Sequence, residues 1–260
     1  MENTAIPLHE TLMKYGRLAT FPVGVKLAKK GDQAPEKMRY PLKDLGHRLT
    51  VCQGMTAART LGWTLGFKKE DHGCPLAHVF LGHVAPDIFL EGAIAGPYQN
   101  DPEFAKSMEA TYPRWPFGTY QEVWLSPLKK GEFAPDLAVV YGNPAQILAL
   151  IQAANYRKGT GIRSSSTGRL GCSLWLAGVI QSGECTYMVP GPGERVFAGT
   201  QDQEMSFAVP SSDFERLMAG LEYIGKKGAY RYPVPNLSAL SEPKIPENYF
   251  QIDPSGSSSA

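Results

Sequence analysis

The amino-acid sequence predicts an α+β fold: a single, loop-rich domain of mixed α/β structure with one or two lobes. The chain of 260 residues suits one large domain. Strand-like and helix-like segments follow one another without an internal repeat or a linker. The 27 glycines and 21 prolines indicate many tight turns. We expect the domain to span residues 1–250, and the Ser-rich end within 251–260 to be a tail typical of a vector-derived sequence.

The first half of the chain carries helix patterns around one strand pattern. Apolar residues recur at helical spacing in 44–62, which places Cys52 on or beside the buried stripe. In CPLAHVFLGH, Pro75 falls in the first helical turn, so Cys74 lies at a helix N-terminus, where the dipole stabilises a thiolate. In chain order we predict a helix at 9–18, a strand at 21–30 and helices at 44–62, 74–83 and 102–111.

The second half carries the clearest strand–helix unit. DLAVVYG is almost wholly apolar, as expected for a central strand. The next helix has Asn143 as its cap, Pro144 at its first position and Gly159 at its end. In chain order we predict strands at 120–128 and 136–142, a helix at 143–159, short strands at 195–198 and 205–209 and an amphipathic helix at 211–228.

Charge and hydropathy exclude two classes of partner. With 26 basic and 25 acidic residues, the chain lacks the positive surface of a general nucleic-acid binder. The most apolar stretch, 136–156, is interrupted by Asn143, Pro144 and Gln146, so we expect no membrane span. The start has no basic and apolar signal-peptide regions. We therefore expect a cytoplasmic protein that binds neither nucleic acid nor membrane.

The four cysteines are Cys52, Cys74, Cys172 and Cys185, separated by 22, 98 and 13 residues. A reducing cytoplasm disfavours structural disulfides, which leaves buried thiols, a reactive thiolate or metal ligands. No close CxxC pair is present, so spacing alone is a weak signal for a metal. Glycine precedes Cys74 and Cys172, and glycine lets backbone amides approach a metal-bound sulfur closely. Inert buried thiols remain an alternative for at least two of the four.

Several stretches, spanning roughly residues 20–225, carry a family resemblance. The chain resembles the domain-of-unknown-function 169 family of archaea and anaerobic bacteria. The resemblance implies that all four cysteines occupy family positions, without implying a reaction. The stretches that carry it are FPVGVKLAKK, RLTVCQG, HGCPLA, PDLAVVYGNPAQILALIQA and ECTYMVPGPGERVFAGTQDQEMSFAVP.

The anaerobic resemblance favours a 4Fe–4S cluster held by the four cysteines. Tetrahedral zinc is the main alternative, because four-thiolate sites are frequently zinc sites. In a third arrangement three cysteines hold the cluster and the fourth iron binds substrate. Either Cys185 or Cys52 would then not be a ligand.

Histidine is the first candidate for a catalytic group. His72 lies two residues before Cys74 and could be a ligand, a hydrogen-bond donor to a thiolate or a general acid. A solvated or capping histidine is the alternative. His78 and His83 are five residues apart and do not share a helix face, so the sequence does not predict that they bind a metal together.

Arginine and serine are the candidates for anion binding. The loop GIRSSSTGR offers hydroxyls, amides and two guanidinium groups just before Cys172. We expect Arg163 to be catalytic, and Ser164 and Arg169 to contact the cofactor, although an exposed flexible loop is the alternative. Arg195 is a further catalytic candidate, and its alternative is an ion pair with Glu194 or Asp202.

These observations predict an iron–sulfur protein of anaerobic metabolism. Complete ligation by four thiolates favours electron transfer, and an open iron favours oxidoreductase or lyase chemistry on a small anionic or aromatic substrate. The partners would be a small-molecule substrate or a redox protein, with a homo-oligomer left open. The alternatives are a zinc-stabilised binding protein that is not an enzyme and a thiol enzyme with Cys74 as nucleophile near His72.

Overall fold

A computed structural model gives the structure of the chain, and it describes residues 4–119, 122–227, 245 and 247–252. The chain divides into two units, Met1–Tyr230 and Arg231–Ala260. In the second unit a 3-10 helix spans Glu247–Gln251. Apart from Gln251 and Ile252, the tail predicted at 251–260 lies outside the described residues.

The first unit is built on one six-stranded sheet. The order is β2-β3-β1-β4-β6-β5, and every neighbouring pair is antiparallel. At the centre, Val25 lies opposite Leu125 on one side and Leu137 on the other. The strands are β1 Val23–Ala28, β2 Leu65–Phe67, β3 Glu122–Pro127, β4 Leu137–Gly142, β5 Thr186–Met188 and β6 Met205–Pro210.

Helices surround this sheet, so the predicted α+β class is confirmed. No helix in the described ranges is long and apolar enough to cross a membrane. The helices are α1 Ala5–Gly16, α2 Val51–Thr56, α3 Pro75–Phe80, α4 Asp87–Leu90, α5 Pro102–Ala110, α6 Pro144–Ala154, α7 Val179–Ser182, α8 Pro192–Ala198 and α9 Phe214–Lys226. Short π-helical segments at Pro41–Leu45, Ala57–Leu61 and Leu174–Gly178 add to them.

Each face of the sheet has its own hydrophobic core, because side chains alternate along a strand. Along β4, Leu137, Val139 and Tyr141 point to the first core, and Ala138 and Val140 point to the second. We call the face that carries Leu137, Val139 and Tyr141 the site face. Residues of α2, α3 and the 174–180 segment pack on the site face. Residues of α1, α6 and α9 cover the opposite face.

Several predicted helices begin or end elsewhere, and local backbone signals account for two of them. The helix predicted at 44–62 begins at Val51, because Gly46 turns the backbone at φ +77° and Thr50 caps the following helix. The helix predicted at 143–159 has the expected Asn143 cap but ends at Ala154.

The strand predicted at 195–198 is wrong, because these residues belong to α8. Gly191 is the extended N-cap, and Pro192 occupies the first helical position, where proline is favoured. Strands β2 and β5 lie at the two edges of the sheet and were not predicted. Each has three residues, too few for an alternating pattern, so their strand conformation depends on pairing with β3 and β6.

Candidate functional site

A pocket of about 350 Å³ brings three of the four cysteines together. Cys52, Cys74 and Cys172 all line it, although they are far apart in the sequence. Apart from Arg169, Glu194 and Thr50, the other lining side chains are mainly apolar. The convergence of three thiols on one pocket is the central geometric feature of the site.

A short backbone pairing holds Cys52 and Cys74 side by side. Leu49 and His72 form a parallel bridge, in which Leu49 N–H donates to Asp71 O at 3.2 Å and Gly73 N–H donates to Leu49 O at 2.7 Å. One residue beyond Leu49, Thr50 begins α2 through a capping box with Gln53, which fixes Cys52 in the first turn. Cys74 is the N-cap of α3, as the sequence predicted.

Close packing around Gly171 positions Cys172. A β-carbon on Gly171 would lie 2.7 Å from Met188 Sδ and 2.9 Å from Glu194 Oε2, so a larger residue would displace these two side chains. Cys172 is buried. It lies in the first residues of a helical stretch that continues into the Leu174–Gly178 segment. The glycine before this cysteine therefore allows Met188 and Glu194 to pack closely against the backbone.

The three thiols influence one another. Interaction with the Cys52 thiol, followed by burial, raises the pKa of Cys172 well above its usual range, and Glu194 and Cys74 add to this. Burial also raises the pKa of Cys74, which the backbone amides of Leu76 and Ala77 oppose. Without a bound cation, Cys74 and Cys172 are therefore protonated near neutral pH.

A buried polar network supports the pocket wall. Glu194 accepts hydrogen bonds from Tyr141 Oη at 2.7 Å and from Gly191 N–H at 2.9 Å. Burial raises the pKa of Glu194, against the opposing effect of these bonds. The Arg59 guanidinium lies 4.3 Å from the centroid of the Tyr141 ring and pairs with Glu204. The network therefore connects α8 with β4 and with the Ala57–Leu61 segment.

Arg169 is the cation in the pocket lining. It is buried, its Nη2 donates to Ile94 O at 2.8 Å, and its guanidinium lies 4.5 Å from the Tyr98 ring centroid. The same nitrogen is 3.7 Å from a carboxylate oxygen of Glu109. These contacts hold the guanidinium in place, in the lining of the pocket that contains the three cysteines.

Exposed apolar side chains form part of the pocket lining. Val196 is 76% exposed and Phe197 is 56% exposed, and both project from α8. Ile94 and Tyr98 provide further exposed apolar surface. A ligand in this pocket would therefore meet apolar groups beside the thiols and one guanidinium.

Cys185 is not part of this pocket. It belongs to the core on the opposite face of the sheet, and its Sγ donates to Asp213 Oδ2 at 3.4 Å. Burial, together with Asp213, raises the pKa of Cys185 to about 12. The structure thus joins three of the four cysteines predicted as ligands and separates the fourth from them.

Four other predicted site residues also lie outside the pocket lining. Ser164 Oγ donates to the backbone carbonyl of Tyr187 in β5, and Arg163 is exposed. Arg195 donates to Gln201 O at 2.7 Å and lies 3.3 Å from Asp202, which is the ion pair considered as its alternative. His72 is buried in a separate histidine cluster.

This histidine cluster consists of His72, His78 and His83. The ring centroids are 5.3 Å apart for His72 and His78, 5.6 Å for His72 and His83, and 5.8 Å for His78 and His83. Burial lowers the pKa of His72 to about 3, and the neighbouring imidazoles add to this. Phe67 stacks on His72 at 5.3 Å.

The sequence does not indicate that the rings of His78 and His83 lie close together, because its pattern continues the helix through residue 83. The helix α3 ends at Phe80, and Gly82 at φ +70° turns the chain. The amide of His83 then donates to His78 O at 2.8 Å. A β-carbon at Gly82 would lie 2.2 Å from Pro116 O, so this turn requires glycine. The LGH sequence was the available signal for the turn.

The polar network of Glu194 and Tyr141 was also missed. The sequence predicts only an ion pair with Arg195 for Glu194 and only a strand position for Tyr141. The signal for Glu194 was its position three residues after Gly191, where a first-turn carboxylate can bind the preceding amide.

As the side chains stand in the described ranges, no group of three or more His, Cys, Asp or Glu residues could hold a metal ion. A family model for DUF169, described as uncharacterised ArCR, matches residues 11–220. No curated protein and no solved structure matches the chain.

Proposed function

We propose that this chain, which belongs to the DUF169 family, is an iron–sulfur protein. Its fold brings three cysteines together in one pocket. In this proposal Cys52, Cys74 and Cys172 would each bind one iron of a 4Fe–4S cluster, which would leave one iron without a protein thiolate. The protein would act in the cytoplasm, in anaerobic metabolism. The observation that carries the proposal is the convergence of three thiols beside a fixed guanidinium.

The donor set suits a cluster better than it suits a preformed site for one ion. A single ion needs its donor atoms to meet around one point, an arrangement that the described side chains do not have. A cluster brings its own sulfide, and each thiolate binds a different iron, so the three sulfurs need not meet. Three thiolates are also the soft ligands that iron–sulfur clusters require.

Protein groups around the thiols suit a negatively charged centre. The helical segments at Cys52, Cys74 and Cys172 begin within two residues of these cysteines, so the positive end of each segment's dipole lies near a thiol. Arg169 supplies a positive charge in the same pocket.

The pocket residues would bind and orient a small anionic or aromatic substrate. Arg169 would pair with a carboxylate or phosphate, and the rings of Tyr98 and Phe197 would contact a flat apolar part. When bound, the cluster would supply a Lewis-acidic iron or an electron, which favours oxidoreductase or lyase chemistry over simple electron transfer. A redox partner protein would then supply or remove electrons if the reaction is a redox reaction.

Zinc is the second candidate, favoured by one observation. Interaction between the Cys52 and Cys172 thiols is the largest cause of the raised Cys172 pKa. Thiolates that share one zinc ion lie closer together than thiolates on different irons of a cluster. A zinc ion on Cys52, Cys74 and Cys172 would keep an open position toward the pocket or would stabilise a binding protein that is not an enzyme.

A thiol enzyme has less support. Burial raises the pKa of Cys74, which lowers its thiolate fraction at neutral pH. The His72 side chain, its proposed partner, packs against Phe67, His78 and His83.

Metal and sulfide analysis of the full chain, produced and purified without oxygen, tests the proposal. We expect four irons and four acid-labile sulfides per chain, a brown colour and broad absorption near about 400 nm, as for thiolate-bound clusters. Cys52→Ser, Cys74→Ser and Cys172→Ser should each lower the iron content strongly. Cys185→Ser is the matched control and should retain it.

Two results would count against the cluster. A colourless protein with one zinc per chain, lost from the Cys52, Cys74 and Cys172 variants, would establish the zinc alternative. A metal-free protein inactivated by stoichiometric alkylation of Cys74 would favour the thiol enzyme. Equal iron loss from Cys185→Ser would show that the ligand assignment is wrong.

A further inference from the structure

We propose that His72, His78 and His83 form a second, independent site for a single divalent transition-metal ion of the zinc class. The three imidazoles lie outside the cysteine pocket, and none of them lines it. Neutral imidazole nitrogen is a preferred ligand for zinc, nickel and cobalt ions. The proposal does not depend on the iron–sulfur centre.

The spacing of the rings carries the proposal. A zinc–nitrogen bond of about 2.0–2.1 Å places each ring centroid about 3.2 Å from the ion. Two imidazoles at a tetrahedral angle then have centroids about 5.2 Å apart, and at 120° about 5.5 Å. The observed separations are 5.3, 5.6 and 5.8 Å. All three pairs are therefore within a few tenths of an ångström of what one shared ion requires.

Burial of an unpartnered imidazole is the second, independent observation. His72 is 2% exposed, and both of its ring nitrogens are buried without a hydrogen-bond partner among the described residues. His78 Nδ1 is also buried without one. Packing against Phe67 alone would leave these polar atoms unsatisfied, which folded proteins generally avoid. A metal ion would satisfy one nitrogen of each ring.

As the side chains stand, the three imidazoles do not form a site for an ion, so the proposal requires the rings to reorient when an ion binds. A half-turn of an imidazole about its Cβ–Cγ bond exchanges nitrogen and carbon positions and leaves the plane of the ring unchanged. The Gly82 turn and the Leu49–His72 bridge already hold the backbones of the three residues in place.

An access route and a fourth ligand are also available. His83 lines a cleft of about 560 Å³, together with Lys68, Lys69 and Glu70. An ion could enter from this cleft, and water or an anion there could complete a tetrahedral set. Lys69 and Arg48 act electrostatically on His78. Because they are positive, they favour an anionic fourth ligand, such as hydroxide or a substrate carboxylate.

Cobalt titration of a full-length variant that lacks the three pocket cysteines tests the site. In Cys52→Ser/Cys74→Ser/Cys172→Ser, we expect one Co²⁺ per chain, with visible d–d bands and no sulfur-to-metal charge-transfer band. His78→Ala and His83→Ala, in the same background, should weaken binding at least about 100-fold, since loss of even an indirect partner costs 10–100-fold. His47→Ala is the matched control, because His47 is exposed outside the cluster, and should bind as tightly as its parent.

Absence of Co²⁺ binding by the folded triple variant would overturn the proposal, as would equal affinity in the His78→Ala and His47→Ala variants. If the triple variant does not fold, zinc-edge X-ray absorption of the zinc-loaded wild-type chain replaces it. Imidazole scattering that is lost in His78→Ala and kept in His47→Ala would support the site. Sulfur scattering alone would refute it. Loss of the iron–sulfur centre would affect neither readout.

Discussion

Replacing Gly171 by alanine is expected to destabilise the chain and to lower its metal content. The new β-carbon would lie 2.7 Å from Met188 Sδ and 2.9 Å from Glu194 Oε2. Ordinary contacts of this kind are about 3.5–4.0 Å, so both neighbours would have to move by about 1 Å. Both are buried, and the Glu194 carboxylate is held by Tyr141 and by Gly191 N–H.

The magnitude follows from two costs. Overpacking a buried site costs about 1–3 kcal/mol. Displacing the Glu194 carboxylate from a buried hydrogen bond adds about 1–3 kcal/mol. We therefore expect a loss of about 3 kcal/mol in the free energy of unfolding, with a fall of about 6–12 °C in Tm for a domain of this size. Because Gly171 precedes Cys172, the same displacement should reduce metal bound by the pocket.

Urea denaturation followed by far-UV circular dichroism measures the stability, and metal analysis measures the loading. Gly193→Ala is the matched control, because a β-carbon there would meet only the Phe197 ring, at 3.7 Å. Gly193 lies in α8, so alanine there should leave stability unchanged or raise it by up to about 1 kcal/mol. A Gly171→Ala variant within about 0.5 kcal/mol of the wild type, with full metal content, would refute the reasoning.

Two further predictions concern residues away from the cysteine pocket. Because burial and Asp213 raise the pKa of Cys185 to about 12, we expect iodoacetamide at pH 8 to alkylate Cys185 about 10³-fold more slowly than an ordinary thiol. Mass spectrometry of native and urea-unfolded protein measures the two alkylation rates. Similar rates in both states would contradict the prediction. Burial acts to raise the pKa of Glu204, but the hydrogen bonds from Arg59 outweigh it and lower the pKa. Glu204→Gln should therefore cost about 3 kcal/mol near neutral pH. The difference in stability between the wild type and the variant should shrink below about pH 4.3, because the Glu204 carboxyl takes up its proton in the unfolded chain before it does so in the folded chain. Denaturation between pH 3 and 7 tests this, with Glu222→Gln in an exposed ion pair as the control.

The best-predicted parts of the fold are those with local signals. The strand β4 and the helix α6 were predicted from an apolar run followed by Asn143 and Pro144, and the capping box with Gln146 is present. The short edge strands had no such signal, because they depend on their neighbours for pairing.

The candidate site was predictable in its residue types and not in its arrangement. Glycine before Cys172 indicated close packing, and the structure shows what packs there. The sequence does not predict that Cys185 lies apart from the other three cysteines. Its position depends on which face of the sheet its side chain packs against, and that is the face opposite the site face. One residue of shift along a strand changes the face, and the sequence near Cys185 does not fix that register.

The loop GIRSSSTGR, predicted to bind an anion, also has an arrangement that the sequence does not specify. Arg169 and Arg163 occur in one loop with similar neighbours in sequence, yet Arg169 is buried in the pocket lining and Arg163 is exposed. Contacts with Ile94 and Tyr98 make the difference. Those partners come from a segment more than 70 residues away, which no local pattern specifies.

The parallel bridge between Leu49 and His72 has a consequence for recognising related chains. Because this bridge brings Cys52 next to Cys74, an insertion in an exposed turn of the intervening segment would leave the two cysteines together. Doubling the length of such a turn costs only about 0.6 kcal/mol in closure entropy. Chains with the same cysteine pair could therefore carry insertions near the exposed Leu61 and escape any search that demands a fixed interval between cysteines. Searching for the two anchoring segments, with a variable gap, would find them.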